Sequence, residues 1–152
     1  MGLNPISGSK TIQFKLKMAK KLLWLDDCRN PQENDWLVFS PIGKDVDVKW
    51  VMSYDGFVKW ITANGLPDAI CFDHDLGDDI ANDLVKNGMN KKKAREVKRQ
   101  EKTGYDCAKW LIDYCQENDL EIPTYAIQSA NPVGKENIDK LLKNYINFMK
   151  QK

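Results

Sequence analysis

The chain has 152 residues, 42% of them hydrophobic and 30% charged, the profile of one ordinary globular domain with a sizeable core, which excludes a disordered protein. Lys and Arg total 23 against 22 Asp and Glu, a formal net charge of +1, so no global field favours nucleic acid or an anionic membrane, and double-stranded DNA is not an expected partner. No apolar run approaches the roughly 20 residues of a membrane span and no secretory signal opens the chain, so a cytoplasmic protein without a membrane partner is expected.

Residues 1–17 contain Gly, Pro, Ser and three lysines but no acid, and precede a second methionine, Met18. They are expected to be a disordered leader or cloning remnant, with the folded domain over residues 18–152. Without Lys10, Lys15 and Lys17 the domain carries 20 basic against 22 acidic side chains, a balance of −2. Cys28, Cys71, Cys107 and Cys115 lack any metal-ligand spacing and read as reduced thiols.

From Lys20 onward, short apolar runs alternate with longer periodic ones, as strands alternate with helices. KLLWLDD reads as a buried strand running into Asp26 and Asp27. WLVF and VDVKWVM read as extended, separated by SPIGKD, forming a hairpin or two successive edge elements. Phe57, Val58 and Ile61 predict a helix from Tyr54 to Asn64, with Ser53 as N-cap and Gly65 and Pro67 as the stop. DAICFDHDL is a second buried strand, ending in Asp73, His74 and Asp75, with Gly77 at the turn.

Residues 78–102 begin with Asp78, Asp79 and Asp83 and continue with eight basic side chains against Glu96 and Glu101. Without a continuous apolar face, this stretch predicts an exposed insertion, helical around residues 91–102. Following directly on Asp73, it would overhang that residue and could clamp a polyanion. Thr103 caps a helix with an Ala108, Leu111, Ile112 and Cys115 stripe, ending near Asn118. PTYAIQSA is a third strand, and Asn131-Pro132 opens a last helix with Ile138, Leu141, Leu142, Tyr145, Ile146 and Met149 on its core face. Strands joined through helices imply a mostly parallel sheet in an α/β sandwich, where ligands bind beyond the carboxyl ends of the strands.

Those ends hold Asp26, Asp27, Asp73, His74, Asp75, Gln128, Ser129 and Asn131. Carboxylates meeting at a sheet edge repel one another and are costly to bury, so a hard cation, Mg²⁺ or Mn²⁺, is the economical answer. Capping roles for Asp26 and Asp27 are the bland alternative. Strand alternation would put Asp73 and Asp75 on one side and His74 on the other, unless the strand has already turned. His74 is the only histidine, and imidazole is the side chain suited to carrying a proton near neutrality. Ser129 and Asn131 open a helix whose N–H groups and dipole attract a phosphate, although capping alone explains Asn131 equally well. Arg29 and Lys135 could neutralise that phosphate or simply be solvated.

LWLDD, PDAICFD and the hydroxyl of Ser129 together resemble a receiver domain, with Asp73 at the phosphoacceptor position and Asp26 and Asp27 as metal-side acids. No counterpart exists for the lysine that follows a fifth strand, because the chain ends in its last helix. The segments LWLDDCRNP, LPDAICFDHDLG, TGYDCAKWL and SANPVGKENI more closely resemble the cyclic-phosphate-processing receiver domain family. That resemblance implies a three-layer, receiver-like (flavodoxin-like) fold with a mostly parallel sheet, shortened at the C-terminus. It also implies a metal-assisted phosphoesterase site built from Asp26, Asp27, Asp73, His74, Asp75, Ser129 and Asn131, with an RNA end or cyclic nucleotide as partner and bacterial or phage RNA repair or defence as the setting. Gln128 stands where the family pattern has histidine, and glutamine can donate a hydrogen bond to phosphate but cannot relay a proton. A non-catalytic binder of cyclic nucleotides or RNA ends, and a phosphoacceptor switch at Asp73, are the alternative functions.

Overall fold

The computed structural model describes residues 19–152, apart from the side chains of Asp78 and Asp79; the expected leader at residues 1–17 lies outside the described residues. In chain order the elements are β1 (Lys21–Leu25), a 3-10 turn (Trp36–Phe39), β2 (Asp47–Val51), α1 (Tyr54–Asn64), β3 (Ala69–Phe72), α2 (Asp78–Lys86), α3 (Lys91–Gln100), α4 (Gly104–Glu117), β4 (Thr124–Ile127) and α5 (Pro132–Lys150). The sheet runs β2-β1-β3-β4, and every pairing is parallel.

Two expectations for residues 36–52 are corrected. VDVKWVM does supply an edge strand, β2, but it pairs parallel with β1, with Leu23 opposite Lys49 and Leu25 opposite Val51, and forms no hairpin with WLVF. WLVF is not extended but forms the 3-10 turn. Asn34 and Asp35, at φ 51° and 55°, reverse the chain into it, a conformation that these two residue types tolerate.

Alternation along β1 and β3 divides the core in two. Leu23, Leu25, Ile70 and Phe72 face a helical layer in which α1 contributes Phe57 and Ile61, α4 contributes Cys107, Ala108 and Leu111, and α5 contributes Ile138 and Leu142. Leu22, Trp24, Ala69 and Cys71 face the other way, under Trp36, Leu37, Ile42 and Val46. The third layer is therefore the long β1–β2 connection itself, with its 3-10 turn in place of a crossover helix. Burial on both faces explains why β1 and β3 read as continuous apolar runs.

Local signals hold at the helix ends. The Ser53 hydroxyl accepts from the Gly56 N–H, Thr103 and Asp106 form a reciprocal capping box, and Asn131 caps the Gly134 N–H with Pro132 in the first turn. The insertion is more regular than expected: α2 and α3 pack on each other, and Ala94 is the buried residue of α3. No helix among the described residues is long and apolar enough to cross a membrane.

One close approach ties this scaffold to the strand ends. The Gly104 N–H, at the start of α4, donates to the His74 carbonyl at 2.8 Å, and a Cβ on Gly104 would overlap the Asp73 carbonyl oxygen. Helix propensity alone would make Gly→Ala stabilising by up to ~1 kcal/mol. Gly104→Ala is instead expected to destabilise by more than about 1 kcal/mol in chemical denaturation, because the overlapping atom is backbone. A stabilised variant would show that the approach of α4 to residues 73–74 is looser.

Candidate functional site

The carboxyl ends of β1, β3 and β4 lie on one line because the parallel ladder carries one residue past each strand. The Asp26 N–H donates to the Val51 carbonyl at 3.0 Å, Asp73 N–H to Leu25 at 3.0 Å and Gln128 N–H to Phe72 at 2.9 Å. Three carboxylates are buried along this edge, with Asp26 at 0%, Asp27 at 3% and Asp73 at 5% exposure.

Asp26 organises the loop that follows it. Its Oδ1 accepts the N–H groups of Cys28 and Arg29 at 3.1 and 3.0 Å, so the capping role foreseen as an alternative is real for that oxygen. Its buried Oδ2 has no hydrogen-bond donor and sits 3.6 Å from Arg29 Nη1. Arg29 in turn donates to the Gln128 carbonyl at 2.6 Å and lies over the Trp36 ring at 5.1 Å. Arg29 thus bridges β1 to β4 before any phosphate arrives.

Gln128 is equally committed. It is 5% exposed, its Nε2 donates to the Leu25 carbonyl at 3.0 Å, and its Oε1 has no partner. Two indoles that read as core or rim in the sequence also pin this edge: Trp50 donates to the Asp26 carbonyl at 2.8 Å and Trp24 to the Arg29 carbonyl at 2.9 Å. The sequence signal was available, since a buried indole N–H usually finds a partner. Cys28 was also missed as a site residue. Its sulfur, with one oxygen each from Asp26 and Asp27, forms a cluster within 4.8 Å that could hold a metal ion. Burial, then the charges of Asp27 and Asp26, push this thiol up to about 12.

Asp73 is not part of that tight cluster, yet it feels it. Burial, followed by the charges of Asp26 and Asp27, pushes its carboxyl up to about 7, and Arg29 offsets only part of the effect. A cation is the chemical complement of this arrangement: the residues present are hard oxygen donors, buried, with a single guanidinium among them. The paired carboxylates of Asp26 and Asp27, within 4.8 Å of each other and of the Cys28 sulfur, are of the donor type that suits a divalent ion such as Mg²⁺.

β3 ends at Phe72, so residues 73–75 no longer alternate. The strand has turned, the exception to the expected opposition, and His74 Nδ1 lies 3.0 Å from Asp75 Oδ1. Burial pulls Asp75 upward, but the hydrogen bond and charge of His74, the charge of Lys98 and a hydrogen bond from Asn131 outweigh it, leaving Asp75 below the usual carboxylate range. The His74 ring packs against the start of α5, where a Cβ on Gly134 would overlap it. The exposed edge of His74 lines a groove of about 460 Å³ between α4 and α5, together with Thr103, Asn137 and Lys140. None of the three buried carboxylates lines that groove.

The phosphate cradle expected at α5 is largely filled by its own side chains. Ser129 Oγ accepts the Asn131 N–H at 3.1 Å, a structural task not evident in the sequence, and Asn131 Oδ1 accepts the Gly134 N–H at 3.0 Å. Lys135 is turned away from the carboxylates. It borders a concavity at the β4 edge with Phe39, Tyr125 and Asp139, and its charge helps hold the Asp139 carboxyl down after the Lys143 hydrogen bond has done so.

The raised Asp73 pKa sets a direction for stability. The folded protein holds a proton on Asp73 up to about pH 7, whereas the unfolded chain releases it near 3.8. The Asp73 contribution is thus fully present below 3.8 and lost as pH rises through 7. In EDTA, Asp73→Asn is expected to match the wild-type melting temperature at pH 4 and to exceed it by several degrees at pH 8. Equal melting temperatures at pH 8 would show that Asp73 is not destabilised by its neighbours.

The family of cyclic-phosphate processing receiver domains matches residues 21–144. No curated protein matches the chain. A solved structure described as the trimeric coiled coil of yeast Spc42 (amino acids 181–211) fused to another structure is similar at 14% identity and a TM-score of 0.45, over 87% of this chain and 82% of that one. The family match spans both acid-bearing strand ends, the insertion, α4 and most of α5. The α/β, receiver-like fold agrees with it: this chain belongs to the cyclic-phosphate processing receiver domain family.

Proposed function

We propose that this domain is a divalent-metal-dependent phosphoesterase that opens a cyclic phosphate, a 2′,3′-cyclic phosphate at an RNA end or a related cyclic nucleotide. The observation that carries the reading is the burial of Asp26, Asp27 and Asp73 on one sheet edge, where the charges of Asp26 and Asp27 still raise the Asp73 carboxyl despite Arg29. Mg²⁺ or Mn²⁺ held by these three would stabilise charge on the phosphate oxygens.

The protein's own residues divide the remaining work. Asp75, held ionised at neutral pH, accepts from His74 and orients its ring. Asp75, the member of the pair whose charge reaches Asp73, takes the proton from the attacking water as its oxygen bonds to phosphorus and returns it to the ribose oxygen as the P–O bond breaks, while His74, its ring packed on α5, holds Asp75 in place. The product is a monoester. Arg29 faces the same edge and meets the phosphate's charge. Ser129 and Asn131 act as positioning residues, since their polar atoms already brace the start of α5 and Asn131 bonds Asp75.

Gln128 favours a second reading, a module that binds a cyclic phosphate without opening it. Its amide is buried, with Nε2 held by Leu25, and it has no proton to relay. Mg²⁺-dependent binding of 2′,3′-cyclic nucleotides without product would establish that reading.

The test is incubation with Mg²⁺ or Mn²⁺ and a panel of 2′,3′-cyclic-phosphate RNA ends, cyclic mononucleotides and cyclic dinucleotides, following phosphate products. Metal-dependent opening is expected, with Asp73→Asn lowering turnover by at least ~100-fold. An Asp73→Asn protein with unchanged metal affinity and turnover would remove Asp73 from the site. Gln128→His is expected to raise turnover if proton relay limits the rate, and to leave it unchanged if Asp75 suffices.

A further inference from the structure

The strongest charge concentration in the described part of the molecule lies beside the site. α3 carries Lys91, Lys92, Lys93, Arg95, Lys98 and Arg99 against the single acid Glu96. Its Ala94 is buried, and Lys92, Arg95 and Arg99, three and four residues apart, form a row on the opposite face of the helix. All three are exposed and form no ion pair among the described residues.

This row leads to the carboxylate edge. The C-terminal turn of α3 packs on Gly77, where a Cβ would lie 2.9 Å from Lys98 Cγ and 3.4 Å from the Lys98 carbonyl oxygen. The Lys98 charge acts on Asp75, and Lys102, just past the helix, lies over the Tyr54 ring at 4.2 Å, bringing the insertion to the start of α1. α3 is therefore a basic ridge about 15 Å long whose far end is anchored at the proposed reaction centre.

From this placement we infer that α3 is a binding track for the phosphodiester backbone of a single-stranded RNA whose terminal cyclic phosphate occupies the site. A single row of cations about one helical turn apart suits one phosphate chain, and only a polynucleotide extends beyond the site far enough to reach it. The inference rests on the esterase reading and narrows its substrate to a strand in preference to a free cyclic mononucleotide or dinucleotide.

Fluorescence anisotropy in EDTA, with a labelled 12-nucleotide RNA ending in a 2′,3′-cyclic phosphate, tests it without turnover. The variant Lys92→Gln/Arg95→Gln/Arg99→Gln keeps good helix formers on exposed positions, and its helix content is checked by circular dichroism. Affinity is expected to fall at least ~10-fold at low salt, and the slope of log K against log salt to flatten by about 2, the amount for three lost single-strand phosphate contacts. Lys143→Gln/Lys150→Gln/Lys152→Gln, which removes equal charge from the second half of α5 and the residues after it, is expected to bind as wild type.

An unchanged slope in the α3 variant, or an equal loss in the α5 control, overturns the track. The esterase reading is judged separately, from opening of 2′,3′-cyclic AMP with Mg²⁺. RNA bound through α3 but never opened, with 2′,3′-cyclic AMP also intact, upholds the track and removes the esterase. Opening of the mononucleotide by wild type and α3 variant alike, without α3-dependent RNA binding, does the reverse.

Discussion

The physical constraint on which this molecule turns is the burial of like charge at the carboxyl edge of a parallel sheet. Asp26, Asp27 and Asp73 are almost wholly removed from water, and the price is visible in Asp73, whose carboxyl is pushed up to about 7 by burial and by the other two. A sheet of this kind makes the conflict unavoidable. β1 and β3 are adjacent and parallel, so acids that follow each strand arrive side by side. An antiparallel pairing would have sent them to opposite ends. A fold retains such a site when a cation or a reacting phosphate makes use of it, the physical basis for reading perturbed carboxylates as functional.

The surroundings hold this edge in place. Arg29 reaches Asp26, the Gln128 carbonyl and the Trp36 ring, while the indoles of Trp24 and Trp50 secure the backbone of the acid loop and Gln128 secures the end of β1. Two helix starts close on residues 73–75 from the other side. α4 approaches the Asp73 and His74 backbone through Gly104, and α5 meets the His74 ring through Gly134; neither position has room for a side chain. Positioning at this level is what distinguishes a preorganised site from a chance cluster of acids.

Residues 78–102 add a second level. A chain of near-zero net charge carries a local excess of positive charge in α3, and the packing of that helix on Gly77 brings the excess to the acidic edge. Opposite fields side by side suit a substrate with a reactive end and a charged body, which in the proposed function the edge would engage through a cation and the ridge along its chain.

The elements legible in the sequence were those with a local cause. The periodicity of Phe57 and Ile61 marked α1, Ser53, Thr103 and Asn131 marked three helix starts, and the apolar runs before Asp26 and Asp73 marked strands buried on both faces. The family was legible too, because its motifs lie in contiguous segments over most of the domain. What tertiary structure decided were facts that depend on partners distant in the chain. WLVF has the composition of a strand, but its apolar side chains lie over the face of the sheet and not at its edge, and it became a 3-10 turn covering Trp24 and Cys71. Asp75 and His74 became neighbours because β3 had already ended, and Lys135 faced the β4 edge because of the rotation of α5. Arg29 and Gln128, 99 residues apart, were joined by the alignment of β1 with β4 across β3. Short-range hydrogen bonding and periodicity are written in the sequence, whereas the meeting of buried charges and the partners they find are set by strand order and register.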